Sequence, residues 1–227
     1  MLDTKGNRIT YFGHSTFSLV TASGQVALID PWVMTNPLCP AALKNVPRLD
    51  AIFLTHAHSD HLGDLLALAK QHRPKIAAIF ETCLWLGSKG FEKEICPMGK
   101  GGSQTVGQFE ITMTHAFHSN SIDDEGIRIY GGEPAGLVIR LPGGFTVYHA
   151  GDTALFGDDF QCHAHQIIVE ISCFAVTPGI QHAACCSGHH SRIGLNVFLV
   201  EGRLDEATLA PPEFSLAGEQ ALPQNAR

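Results

Sequence analysis

Four potential metal ligands fall within six residues of one loop: His56, His58, Asp60 and His61 in Thr55-His56-Ala57-His58-Ser59-Asp60-His61. No other feature constrains the fold as tightly. Directly before it runs Ala51-Ile52-Phe53-Leu54, a continuous apolar stretch of the kind that forms a strand buried on both faces. After it, Leu62, Leu65, Leu66 and Ala69 recur at helical spacing, which predicts a helix from about Gly63 to Gln71. The loop therefore joins the end of a buried strand to the start of a helix, where side chains on a rigid base converge from several directions. Imidazole and carboxylate are the donors that hydrolytic zinc sites use. The alternating spacing lets His56 and His58 face one ion while Asp60 and His61 face a second.

The surrounding pattern supports a mixed sheet with flanking helices. Ile9–Phe12, Thr16–Val20 and Val26–Ile29 are short apolar or alternating runs, punctuated by Gly13 and by a turn at Ser23-Gly24-Gln25. Ile76–Phe80 reads as a second buried strand. Phe109–Thr114, Gly136–Leu141 and Phe145–His149 follow, the last two joined by the turn Pro142-Gly143-Gly144. Alternating strands and helices of this kind build layered α/β or α+β domains.

Two more strand ends carry donors. Thr114-His115-Ala116-Phe117-His118-Ser119 ends one strand with two histidines, and Tyr148-His149-Ala150-Gly151-Asp152-Thr153 ends another with Gly-Asp. An acid in that position can bridge two cations with its two oxygens. With these stretches the chain resembles the metallo-β-lactamase superfamily, and within it the bacterial UPF0173 type of metal-dependent hydrolase. Further matching residues are Tyr11-Phe12-Gly13-His14-Ser15, Leu28-Ile29-Asp30-Pro31 with Asn36-Pro37, Pro134-Ala135-Gly136 and Ala154-Leu155-Phe156-Gly157.

The resemblance covers residues 1 to about 158 and implies an αββα sandwich with a mono- or dinuclear centre, two divalent ions of zinc or manganese. It places His56, His58 and His118 on one ion and Asp60 and His61 on the other, with Asp152 bridging. His118 is chosen over His115 because Phe117-His118-Ser119 is the matching part. Asp30 is expected behind a ligand histidine, orienting it. His14 and His149 match the family and are expected near the ligands without an assigned role. The implied chemistry is hydrolysis by an activated water on an ester, lactone, amide or phosphoester bond, with Asp60 as hydrogen-bond acceptor or proton acceptor. No G-x-S-x-G nucleophile motif accompanies it.

Past Asp158 the resemblance stops. The family continues to a segment Pro-x-His-Tyr-x-Thr-Phe whose His is the remaining ligand of the second ion, and residues 159–227 do not contain it. All seven Lys lie at or before Lys100, while four of the seven Cys lie beyond residue 158. The sandwich is therefore expected to be incomplete in its C-terminal half. Residues 159–227 read as a divergent continuation, frameshifted or poorly ordered from Ala207 on. Gln166–Ile171 and Val197–Val200 are its two strand candidates. A divergent subfamily would instead draw its ligand from His182, His189 or His190. The alternative function is then a metal-binding remnant, impaired in catalysis and holding a single ion. A di-iron redox protein would want an acid where His56 and His58 stand. Cys185-Cys186 with His189-His190 does not have the spacing of a zinc knuckle.

Composition narrows the partners. The net charge is −7 with no basic block, which disfavours nucleic acid. No apolar run reaches the ~20 residues of a membrane span and the first residues lack a signal-peptide core, so a cytoplasmic location is expected. Seven Cys, an odd number, suit free thiols or metal ligands better than a disulfide framework. A small-molecule substrate is the expected partner, and self-association into a homo-oligomer is compatible with the sequence.

Overall fold

The structure is a computed structural model that describes residues 4–154, 166–172 and 197–201. Two six-stranded sheets dominate it. The first has the order β1-β2-β3-β4-β5-β6, from β1 (Arg8–Gly13), β2 (Thr16–Val20), β3 (Val26–Ile29), β4 (Ala51–Phe53), β5 (Lys75–Ile79) and β6 (Ile95–Met98). β1 to β3 are antiparallel, and β3 to β6 are parallel. The second sheet is built on β7 (Ser103–Val106), β8 (Phe109–His115), β11 (Ala135–Arg140) and β12 (Thr146–Asp152). A small hairpin of β9 (Ser121–Asp124) and β10 (Ile127–Tyr130) stands apart from both sheets. The backbone of β13 (Gln166–Ser172) pairs parallel with β12, and β14 (Val197–Glu201) pairs antiparallel with β13.

Strand alternation sorts the apolar side chains into two cores. Leu19, Ala27, Ile29 and Phe53 of the first sheet meet Phe109, Ile111, Met113, Leu137 and Ile139 of the second, and this layer is the sandwich core. The Phe53 and Phe109 rings cross it edge to face, 5.3 Å apart. On the other face of the first sheet, Leu28, Ile52, Ile76 and Ala78 receive Leu65, Leu68 and Ala69 of α2 (Leu65–His72) and Cys83 and Leu86 of α3 (Phe80–Leu86). Helix, sheet and sheet are therefore stacked as three layers. Among the described residues the α-helices all lie between Ser59 and Leu86.

The helix expected over Gly63–Gln71 differs in one respect. A first turn, α1 (Ser59–Leu62), stops at Gly63, and α2 starts afresh at Leu65. Gly63 has φ +43, and a Cβ there would strike the Trp32 backbone, so the chain breaks to pack against that residue. The expected strand Ile76–Phe80 ends at Ile79, because Phe80 opens α3. Ala207–Arg227, His182, His189, His190 and Cys185-Cys186 lie outside the described residues.

This topology gathers the donor-bearing stretches. The C-terminal ends of β3, β4, β8 and β12 lead into Asp30, His56, His118 and Asp152, and the β1–β2 turn brings His14 to the same edge. Ligand sites of layered α/β folds form at such carboxyl ends, where side chains leave the sheet without crossing the core.

Candidate metal centre

The loop after β4 is anchored by one buried acid. Asp30 is fully buried; its Oδ1 accepts the Thr55 N–H (2.8 Å) and its Oδ2 accepts the Thr55 hydroxyl (2.7 Å). The same Oδ2 lies 2.8 Å from His61 Nδ1. The acid thus fixes the strand end and turns the other ring nitrogen, Nε2, toward the site. Asp30 sits at φ +46, a left-handed conformation that costs a non-glycine residue energy and that its three contacts hold in place.

Three imidazoles converge on one side. His56 Nε2 lies 3.0 Å from His58 Nδ1, which is 3.2 Å from His118 Nε2. Burial lowers the pKa of all three rings, with neighbouring imidazoles adding to it, and fully buried His56 is pushed well down. They are neutral at pH 7, and one ring nitrogen of each lies within 4.8 Å of the others. His56, His58 and His118 form one group able to hold an ion.

The other side is flanked by acids. His61 Nε2 lies 3.4 Å from Asp152 Oδ1, while Asp152 Oδ2 lies 3.8 Å from His118 Nε2. The two oxygens of Asp152 thus face opposite halves of the centre. Burial opposes charging His61, but the Asp30 and Asp152 carboxylates outweigh it and, without an ion, it is pushed up to about 10. Burial likewise opposes the Asp152 charge, and the His61 imidazole reverses that and lowers its pKa. Asp60 is held well below the usual carboxylate range, first by the His14 imidazole 3.2 Å away. His14, Asp60 and His61 form a second group able to hold an ion, and His56, His61 and Asp152 a third between the two.

Of the residues expected near the ligands, Asp30 lies against His61, and His14 stands inside the cluster itself. His149 is buried; its Nε2 donates to Ser15 O (2.9 Å) and its Nδ1 accepts the Gly151 N–H (3.2 Å). It ties the turn carrying His14 to the strand end carrying Asp152. His115 is exposed, beside Lys100, and outside the cluster.

Sequence reasoning missed Asn120. Its Oδ1 accepts the Ala57 N–H (2.8 Å) and its Nδ2 donates to Gly131 O (2.9 Å), so it fastens the His56–His58 loop to the stretch after His118. Its only signal was a polar residue two positions after His118. Gly151 is needed where it is, because at φ +62 a Cβ would meet the Thr55 side chain at 2.8 Å. That approach brings Asp152 alongside the His56 loop.

The chain belongs to the beta-lactamase superfamily, whose domain model matches residues 26–187. Within it, the curated relatives are UPF0173 metal-dependent hydrolases. One from Koribacter versatilis is 47% identical over 157 residues, 69% of this chain and 67% of the relative. Another from Solibacter usitatus is 51% identical over 150 residues, 66% of this chain and 64% of the relative. The chain spans about two thirds of the length of these relatives. Among solved structures, a metallo hydrolase from the archaeon Ignicoccus hospitalis superimposes with a TM-score of 0.58 at 35% identity, covering 67% of this chain and 63% of that one. A diiron beta-hydroxylase from Streptomyces venezuelae (TM-score 0.51, 18% identity, 71% of this chain and 34% of that one) shares the fold alone.

Proposed function

We propose that the protein is a hydrolase that binds two divalent cations, zinc or manganese, through His56, His58 and His118 on one side and Asp60 and His61 on the other, with Asp152 between them. The observation that carries this is the split placement of Asp152, 3.4 Å by one oxygen from His61 and 3.8 Å by the other from His118. The donors suit such ions: nitrogens of three neutral rings lie within 4.8 Å of one another, and His61 Nε2 is buried without a hydrogen-bond partner among the described residues. Imidazole with carboxylate accommodates zinc, manganese or iron. Bound cations of this kind lower the pKa of a water and polarise a carbonyl or phosphoryl oxygen.

The protein's own residues orient and hold protons. Asp30 fixes the His61 ring, and Asn120 and Asp30 hold the His56–His58 loop rigid. Asp60 is ionised and its side chain is 44% exposed, so it can accept a hydrogen bond or a proton from water entering the centre. The substrate is a small molecule with an ester, lactone, amide or phosphoester bond. Free Cys39, Cys83 and Cys96 suit a reducing compartment such as the cytoplasm.

The test joins metal content by mass spectrometry with turnover of simple ester, lactone and phosphodiester substrates. Two ions with turnover support the reading, and a metal-free, inactive protein after zinc loading overturns it. A second reading, a metal-binding remnant, is favoured by the missing Pro-x-His-Tyr segment and predicts bound metal with no turnover of any of the three.

A further inference from the structure

We propose that His14 is itself a ligand of the second ion, joining Asp60, His61 and Asp152, so that this half of the centre is complete within residues 14–152. The inference rests on the metal-dependent reading above and names a donor that neither the loop motif nor the strand-end motifs contain.

Three observations carry it. First, His14 Nε2 is buried and has no hydrogen-bond partner among the described residues, although Asp60 Oδ2 is only 3.2 Å away. The two are in close ion-pair contact without meeting hydrogen-bond geometry. Donors around a tetrahedral ion with bonds of ~2.1 Å sit ~3.4 Å apart. The His14–Asp60 spacing of 3.2 Å and the His61–Asp152 spacing of 3.4 Å both match that separation. Second, within the cluster His61 Nε2 is likewise buried without a hydrogen-bond partner among the described residues, and donor atoms of His14, Asp60 and His61 lie within 4.8 Å of one another. The His14 and His61 rings meet edge to face, 5.0 Å between centroids.

Third, the backbone is strained to put His14 there. It occupies φ +56 directly after Gly13 at φ +99, where a Cβ would strike Leu38 at 2.8 Å. Such a conformation persists only where its surroundings hold it. Asn36 Nδ2 donates to Gly13 O, His149 Nε2 to Ser15 O and the Thr16 hydroxyl to Asp30 O. The Trp32 ring closes the outer side, edge on to His14 at 5.6 Å. The turn is thus clamped from three directions, and its one side chain inside the cluster ends on a nitrogen with no hydrogen-bond partner among the described residues.

The full chain, stripped by chelator, is titrated with zinc alone, and bound ions are counted by mass spectrometry in wild type, His14→Ala and His14→Gln. Glutamine keeps an N–H donor at about the reach of Nε2 but is a poor ligand, so it separates ligation from a hydrogen bond to Asp60. Both variants are expected to keep the first ion and to bind the second more weakly by over ~100-fold, beyond the ~10–100-fold that loss of an outer partner costs. With cobalt(II) in place of zinc, the visible bands of the second ion should disappear in both. Circular dichroism of the stripped proteins checks folding, and His14→Gln carries the test if His14→Ala does not fold. Two ions held by His14→Gln as tightly as by wild type overturn the inference and leave the hydrolase reading intact. So does a wild type with a single ion that His14→Gln leaves unaffected. A wild type that binds no ion overturns both.

Discussion

The two halves of the centre hold buried imidazoles in opposite charge states. His56 and His61 are equally inaccessible, their rings 4.0 Å apart, yet His56 is neutral and His61, without an ion, is a cation. Burial pushes both the same way. The difference is the company: His56 faces other imidazoles, whereas His61 has Asp30 at 2.8 Å and Asp152 at 3.4 Å. Acids within a few ångströms therefore decide charge here, and at His61 they override a burial that would otherwise keep the ring neutral. In consequence, one half can take a cation without losing a proton, while the other must release one first.

The largest expected effect comes from removing the acid behind that difference. Asp30→Ala would leave His61 and Thr55 with buried unpaired groups, and stability should fall by about 3–5 kcal/mol in urea unfolding. A loss below ~1 kcal/mol would show that Asp30 does not hold the acid-flanked half together.

Next comes pH. For His61 the folded pKa is raised, so in chelated protein its contribution to stability is full below about 6.5 and is lost as pH rises through about 10. For His56, His58 and His118 the folded pKa is lowered. The unfolded chain then binds more protons, and stability is lost as pH falls below about 6.5. Thermal unfolding across pH 5 to 10 should therefore decline at both ends, and zinc titrated at pH 8 in buffers of differing ionisation enthalpy should release a proton for the second ion only. A flat alkaline limb would erase the contrast between the halves.

His58→Ala should act on one half alone. The ring is half-buried, so folding changes little, while affinity for the first ion drops by over ~100-fold, about 2.7 kcal/mol. Equal loss of both ions in equilibrium dialysis would mean that the halves bind as one unit. The smallest effect is Asn120→Ala, expected to cost about 1–3 kcal/mol because the Ala57 N–H loses its acceptor inside the protein. Its thermal shift should come with faster metal loss on the three-histidine side and no change on the other.

Much of the site was legible because its spacing is local. His56, His58, Asp60 and His61 share one loop, and the apolar run before them marks the strand end that holds it. All six strands expected among residues 9–114 appear within a residue at either end. The β9–β10 hairpin was not read, since each strand is four residues long, Ser121–Asp124 carries a single apolar residue, and the alternation of Ile127-Arg128-Ile129 is too short to mark a strand. Its turn is visible only afterwards, in Glu125 and Gly126 at φ +54 and +84, the pair of positive values that a tight hairpin turn requires. α3 was hidden because Phe80 continues an apolar strand pattern, and periodicity cannot separate a buried strand from the start of a buried helix.

By itself, the sequence determined the donor types, the loop that carries four of them and the strand ends that carry two more. Those follow from chemistry and from periods of two and 3.6 residues, both readable along the chain. Only the tertiary structure decided that His14, 46 positions before Asp60, comes within 3.2 Å of it, and at what distances the two Asp152 oxygens face His61 and His118. Those distances are set by how the β1–β2 turn and the end of β12 pack around Asp30 and Thr55, and contacts between distant stretches leave no periodic trace in the chain.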